Sequence, residues 1–86
     1  MINVSNMFRA FSMKHIKGFK ALSSYQKDLF DSTYKKHIFS LNKKNRSFYT
    51  ESHIKKIKGE RNIVKVYFNN GDIYLYFPNN RWKKIS

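Results

Sequence analysis

The sequence predicts an α+β fold, two N-terminal helices packed on a three-stranded antiparallel β-meander. Two observations carry that prediction. Apolar residues recur at helical spacing through about residue 41, and the pattern then switches to period-two alternation around Asn70-Gly71. At 86 residues the chain is read as one domain, 1–86. Winged helix-turn-helix is the alternative, with 50–58 as recognition helix and 63–77 as wing. The gap of about eight residues before that segment is long for a helix-turn-helix, whose turn is roughly 3–4 residues.

Val4, Met7, Phe8 and Phe11 fall at i, i+3, i+4 and i+7, one face of a helix. Gly18, after Lys14, His15 and Lys17, suits a C-terminal stop, so a first helix is expected over about 4–17. The same basic, amphipathic pattern fits a membrane-surface helix or a transit peptide.

A second helix is predicted over about 24–41. Ser23 and Gln26 have capping-box spacing, so each side chain can satisfy an amide at the helix start. Leu22, Tyr25, Leu29, Phe30, Tyr34, Ile38 and Leu41 mark a broad apolar face. Asp28 and Asp31 precede Lys35, Lys36 and His37, the order the helix dipole favours. Asn42 to Ser47 contains no apolar residue and reads as a basic loop.

Asn70-Gly71 predicts a hairpin over 63–77, because a two-residue type I′ turn needs positive φ at both central positions. In that register paired numbers sum to 141. Phe68, Val66 and Val64 then face Ile73, Leu75 and Phe77 on one apolar side. Lys65, Tyr67, Tyr74 and Tyr76 share the opposite side. Residues 51–58 fit either a helix ended by Gly59 or a strand joined through Gly59–Asn62 to the hairpin.

Ser52-His-Ile54-Lys-Lys-Ile57, followed by Val64-x-Val66-x-Phe68-x-x-Gly71-x-x-Tyr74-x-Tyr76, resembles the KTSC domain pattern over residues 52–77. The first connection is shorter than in that family, and Phe77-Pro78 stands where the family carries a Val-Pro further on. The resemblance implies a strand for 52–58 and a connection to RNA or DNA.

Charge narrows the function. Eighteen Lys and Arg against five Asp and Glu give a formal charge of +13, and no segment is acidic. A polyanion is the partner that offsets such self-repulsion, and nucleic acid is the commonest. Lys43, Lys44, Arg46, Lys55, Lys56 and Lys58 form the densest basic stretch and are the candidate phosphate contacts. Lys65 adds a cation beside Tyr67, Tyr74 and Tyr76, the candidate stacking residues. Tyrosines also occur in strands for packing alone. Arg81-Trp82-Lys83-Lys84 is a smaller basic cluster whose tryptophan fits either core or stacking.

Catalysis is not expected. The three histidines have no paired ligand spacing, there is no cysteine, and the three glycines are isolated, so neither a metal site, a cofactor nor a phosphate loop is predicted. The longest apolar run, Ile73–Phe77, is far below the roughly 20 residues of a membrane span. The expectation is a small cytoplasmic protein that binds single-stranded DNA or RNA with little sequence preference. The alternative is an accessory or inhibitory subunit of a larger enzyme, such as a DNA-processing enzyme of a phage or mobile element.

Overall fold

A computed structural model describes residues 15–86. Helix α1 spans Ser24–Ser40, and a four-residue helix α2 spans Lys43–Arg46. The strands β1 (Ile54–Glu60), β2 (Ile63–Phe68), β3 (Ile73–Phe77) and β4 (Arg81–Lys84) form one antiparallel sheet in that order. The chain is thus α+β, with α1 laid across one face of a meander of four strands rather than three. The helix expected over 4–17 lies, apart from residues 15–17, outside the described residues.

Ser23 caps α1 as its spacing predicts. Its hydroxyl accepts from the Gln26 N–H at 3.1 Å, while Gln26 Oε1 accepts from the Ser23 N–H at 2.9 Å. Gln26 Nε2 also donates to the Arg61 carbonyl, tying the helix start to the β1–β2 turn. The expected dipole arrangement is not realised. The first turn of α1 holds no acid, and Asp31 instead pairs with Lys35 at 3.5 Å. The last turn offers only His37, which is buried, and burial lowers its pKa to about 4, so it is uncharged at neutral pH.

Residues 51–58 resolve as a short 3-10 turn, Glu51–His53, running into β1, which removes the recognition helix that a winged helix requires. A bulge between Ile54 and Lys56 keeps both Ile54 and Ile57 on the core side despite their odd spacing. That three-residue interval mimics helical periodicity, which is why the local sequence fits both helix and strand.

The β2–β3 register differs from expectation by one residue. The pairs are Val64↔Tyr76, Lys65↔Leu75, Val66↔Tyr74 and Tyr67↔Ile73, so paired numbers sum to 140. The loop holds three residues, closed by Gly71 N–H to the Phe68 carbonyl at 3.1 Å and Phe68 N–H to the Asp72 carbonyl at 2.9 Å. Only Gly71 takes positive φ (95°) there; Asn70 instead accepts the Asp72 N–H on its side-chain oxygen. Because β3 reads Ile-Tyr-Leu-Tyr-Phe, both of its faces are apolar enough to be buried, and its alternation does not choose between registers.

Strand β4 escaped the sequence reading. Asn79 and Asn80 supply the two left-handed residues of its turn, with φ of 68° and 56°, a conformation Asn tolerates better than most residues. Asn80 Oδ1 accepts hydrogen bonds from Ser32 (2.6 Å) and Thr33 (3.3 Å), fastening the turn to α1.

The core lies between α1 and the sheet. Leu29, Phe30 and Tyr34 from the helix meet Ile54, Ile57, Val64, Val66, Phe68 and Tyr76. Ile16 and Leu22 close one side, from a segment that runs along β1 and accepts the Ile57 N–H on the Lys17 carbonyl at 2.9 Å. Gly18 is required at this contact. Its φ is 93°, and a Cβ there would sit 2.0 Å from the Ile57 carbonyl oxygen.

Candidate functional site

The sheet face turned away from α1 collects the side chains that alternate with the core residues. From β1 it receives Lys56, Lys58 and Glu60; from β2, Ile63, Lys65 and Tyr67; from β3, Ile73, Leu75 and Phe77; and from β4, Arg81 and Lys83. The centre is therefore an apolar and aromatic row, half-buried by its neighbours, with cations on the strands to either side.

Tyr67 lies within this pattern between two ammonium groups. Lys56 Nζ is 4.7 Å and Lys65 Nζ 5.4 Å from its ring centroid. Register explains the arrangement: Lys56 is directly opposite Tyr67 on β1, and Lys65 precedes it by two residues on the same face of β2. Each contact contributes about 0.5–1 kcal/mol at an exposed site. Lys58 lies opposite Lys65, so two like charges face each other across the strands. Among the described residues, Glu60 at the end of β1 is the only carboxylate that strand register places on this face. Asp72 is engaged elsewhere, accepting from the Tyr49 hydroxyl and pairing with Lys84 at 3.4 Å. The hydrogen bond to Asp72, aided by burial, pushes the Tyr49 pKa up to about 12.

The predicted site divides into three parts. Lys56, Lys58, Lys65 and Tyr67 come together on the open face, and the exposed Lys55 sits in the β1 bulge beside them. Tyr74 and Tyr76 do not join them; this corrects the expected stacking trio. The one-residue register difference turns both toward α1, where Tyr76 is fully buried and its hydroxyl lies 2.8 Å from His37 Nδ1. Desolvation raises the Tyr76 pKa well above its ordinary value. Tyr74 packs on the His37 ring at 4.3 Å between centroids. Trp82 also turns toward the core, 5.4 Å from the same ring.

Lys43, Lys44 and Arg46 form the third part, on the helical side of the sheet. Arg46 Nη2 donates to the Leu41 carbonyl at 3.1 Å, and its guanidinium lies 5.3 Å from the Phe39 ring centroid. Lys43 and Lys44 are exposed beside it. The expected continuous track from residue 43 to 58 is therefore interrupted. The turn Glu51–His53 separates its two ends, and His53 is held by the hairpin loop, whose Asn69 N–H donates to its carbonyl at 2.7 Å.

Sequence reasoning overlooked Leu75 and Phe77 as open-face residues, and the union of Arg81 and Lys83 with that face. The Asn79-Asn80 pair before an alternating stretch was the available signal for β4. A shallow cleft of about 550 Å³ lies at this end, lined by Phe77, Pro78, Asn79, Arg81, Trp82 and Lys83.

Among the described residues no group of three or more His, Cys, Asp or Glu is placed to hold a metal ion. Among them also, no helix is long and apolar enough to cross a membrane. Comparison with known protein families, curated proteins and solved structures finds no match to this chain.

Proposed function

We propose that the protein is a non-catalytic binder of single-stranded nucleic acid, DNA or RNA, that uses the open face of its sheet with little sequence preference. The observation that carries this reading is Tyr67 flanked by Lys56 and Lys65 on a face with cations along both sides. Bases have apolar faces and a charged backbone, so a strand laid across β1–β4 would stack bases on Tyr67 and Phe77. Its phosphates would meet Lys56, Lys58, Lys65, Arg81 and Lys83. Stacking contributes about 1–3 kcal/mol per base without selecting a sequence. The net charge of +13 supports a polyanion.

The row Ile63, Ile73, Leu75 and Phe77 favours a second reading, in which the same face docks on a larger protein as an accessory subunit. Fluorescence anisotropy with a labelled single-stranded oligonucleotide separates the two. Affinity should fall with salt at a log–log slope near −0.7 per phosphate neutralised. Absence of binding at ~50 mM salt, where counterion release favours association, would overturn the nucleic-acid reading.

A further inference from the structure

The far side of α1 carries a second aromatic and basic surface that the open sheet face does not use. Phe39 lies nine residues, or about 2.5 turns, beyond Phe30, which is fully buried against the sheet. It therefore sits on the opposite side of the helix, 72% exposed. Phe48, 52% exposed, follows α2 two residues after Arg46. Both rings therefore keep more than half of their surface open to solvent, beyond the core that Phe30 helps to form.

Their surroundings point to one kind of ligand. Residues 32–50 contain no acid and include Lys35, Lys36, Lys43, Lys44 and Arg46. Lys35 is paired with Asp31, whereas Lys36, Lys43 and Lys44 are exposed and Arg46 lies over Phe39. A guanidinium on one face of the Phe39 ring leaves the other for a planar apolar group, with cations around it for anions. An unpaired base on its phosphate backbone offers both.

We infer that Phe39, Lys43, Lys44, Arg46 and Phe48 form a second single-strand site, so that one chain holds two nucleic-acid segments on opposite sides of its sheet. This inference rests on the reading of the open face as the first site. The sheet and α1 separate the two surfaces, so a short oligonucleotide occupies one of them and a second is needed to fill the other. The protein then bridges strands as a monomer, without requiring a second copy.

Native mass spectrometry with a short oligothymidylate at low ionic strength tests this on the full chain. Two oligonucleotides should bind per monomer, and two differently labelled oligonucleotides should show energy transfer when the protein is added. Substituting Phe39→Ala, Phe48→Ala, Lys43→Glu and Lys44→Glu together should leave one bound oligonucleotide and abolish the transfer. The second binding step should weaken by at least about tenfold, the loss expected for one stacked base. All four positions are exposed, and an unchanged melting temperature would show that the fold persists. Tyr67→Ala with Lys56→Glu and Lys58→Glu should also leave one, the remaining site being the helical one. A single oligonucleotide on the wild-type monomer, lost only in the Tyr67 variant, would overturn the second site and leave the open-face reading intact. Binding of the Phe39 surface to phosphatidylserine vesicles but not to the oligonucleotide would overturn it as well. No oligonucleotide bound at all would overturn both.

Discussion

His37 Nδ1 and Tyr76 Oη lie 2.8 Å apart in the centre of the molecule, joining helix α1 to strand β3. Both residues are about 1% exposed or less. His37 is enclosed by the rings of Tyr74, Tyr49, Phe68 and Trp82, and its Nε2 has no hydrogen-bond partner among the described residues. The pair is a buried polar link between helix and sheet, and His37 gives the fold a pH response.

Burial lowers the His37 pKa from 6.5 to about 4. The unfolded chain therefore binds a proton at His37 at a higher pH than the folded chain does. This residue's effect on stability is constant above about pH 6.5 and becomes unfavourable as pH falls toward 4, where its loss levels off. The full loss is about 3 kcal/mol. Urea unfolding between pH 7.5 and 4 should show that decline, and His37→Asn should flatten it.

Tyr76→Phe removes the hydroxyl and leaves His37 Nδ1 buried without its partner. The cost should be about 1–3 kcal/mol, measured as a shift in the urea midpoint. Combining it with His37→Leu should cost less than the two single changes added together, since the double variant leaves neither polar group unpaired.

Gly18 and Gly71 share a positive φ but differ in surroundings, so alanine should separate strain from collision. At Gly71 a Cβ meets nothing within 4 Å, and the cost should be the backbone term alone, about 1–2 kcal/mol. At Gly18 the Cβ would strike the Ile57 carbonyl oxygen, a backbone atom of a core strand. Gly18→Ala should therefore cost more, roughly 3 kcal/mol or above, in the same unfolding measurement.

Asn80→Ala removes the acceptor for Ser32 and Thr33 and places alanine at a φ of 56°. A loss of about 1–3 kcal/mol is expected. Amide exchange should rise first in β4, the edge strand that this turn holds against α1.

For nucleic-acid binding, Tyr67→Ala should weaken single-strand affinity about tenfold with the salt slope preserved, since it removes stacking and no charge. Lys56→Ala should flatten that slope. Tyr74→Phe should change neither, because the Tyr74 ring packs against His37 on the covered side of the sheet. Anisotropy titrations at three or more salt concentrations distinguish these outcomes.

Local chemistry made much of this fold readable from sequence. Ser23 and Gln26 mark the start of α1 because a capping box is completed within four residues. Val64, Val66 and Phe68 identify the buried side of β2 because its alternation is clean, with Lys65 between them. Gly71 marks the hairpin loop through its positive φ, although the neighbouring residues decide how long that loop is. The candidate site was legible in part: Lys56, Lys58, Lys65 and Tyr67 belong to one face, while Lys43, Lys44 and Arg46 belong to the helical side.

Charge, helix α1 and the presence of a hairpin are local properties, since each depends on composition or on residues within a turn or two. Which tyrosines are buried depends on long-range packing. In β3 both alternating sets are apolar enough to form a core, so local patterning leaves the two registers nearly equal. The choice depends on what waits across the layer: Phe30 to stack on Tyr76 at 6.0 Å, and His37 to bond its hydroxyl. A tyrosine can be buried when its hydroxyl finds a partner, and that partner lies 39 residues away in the chain.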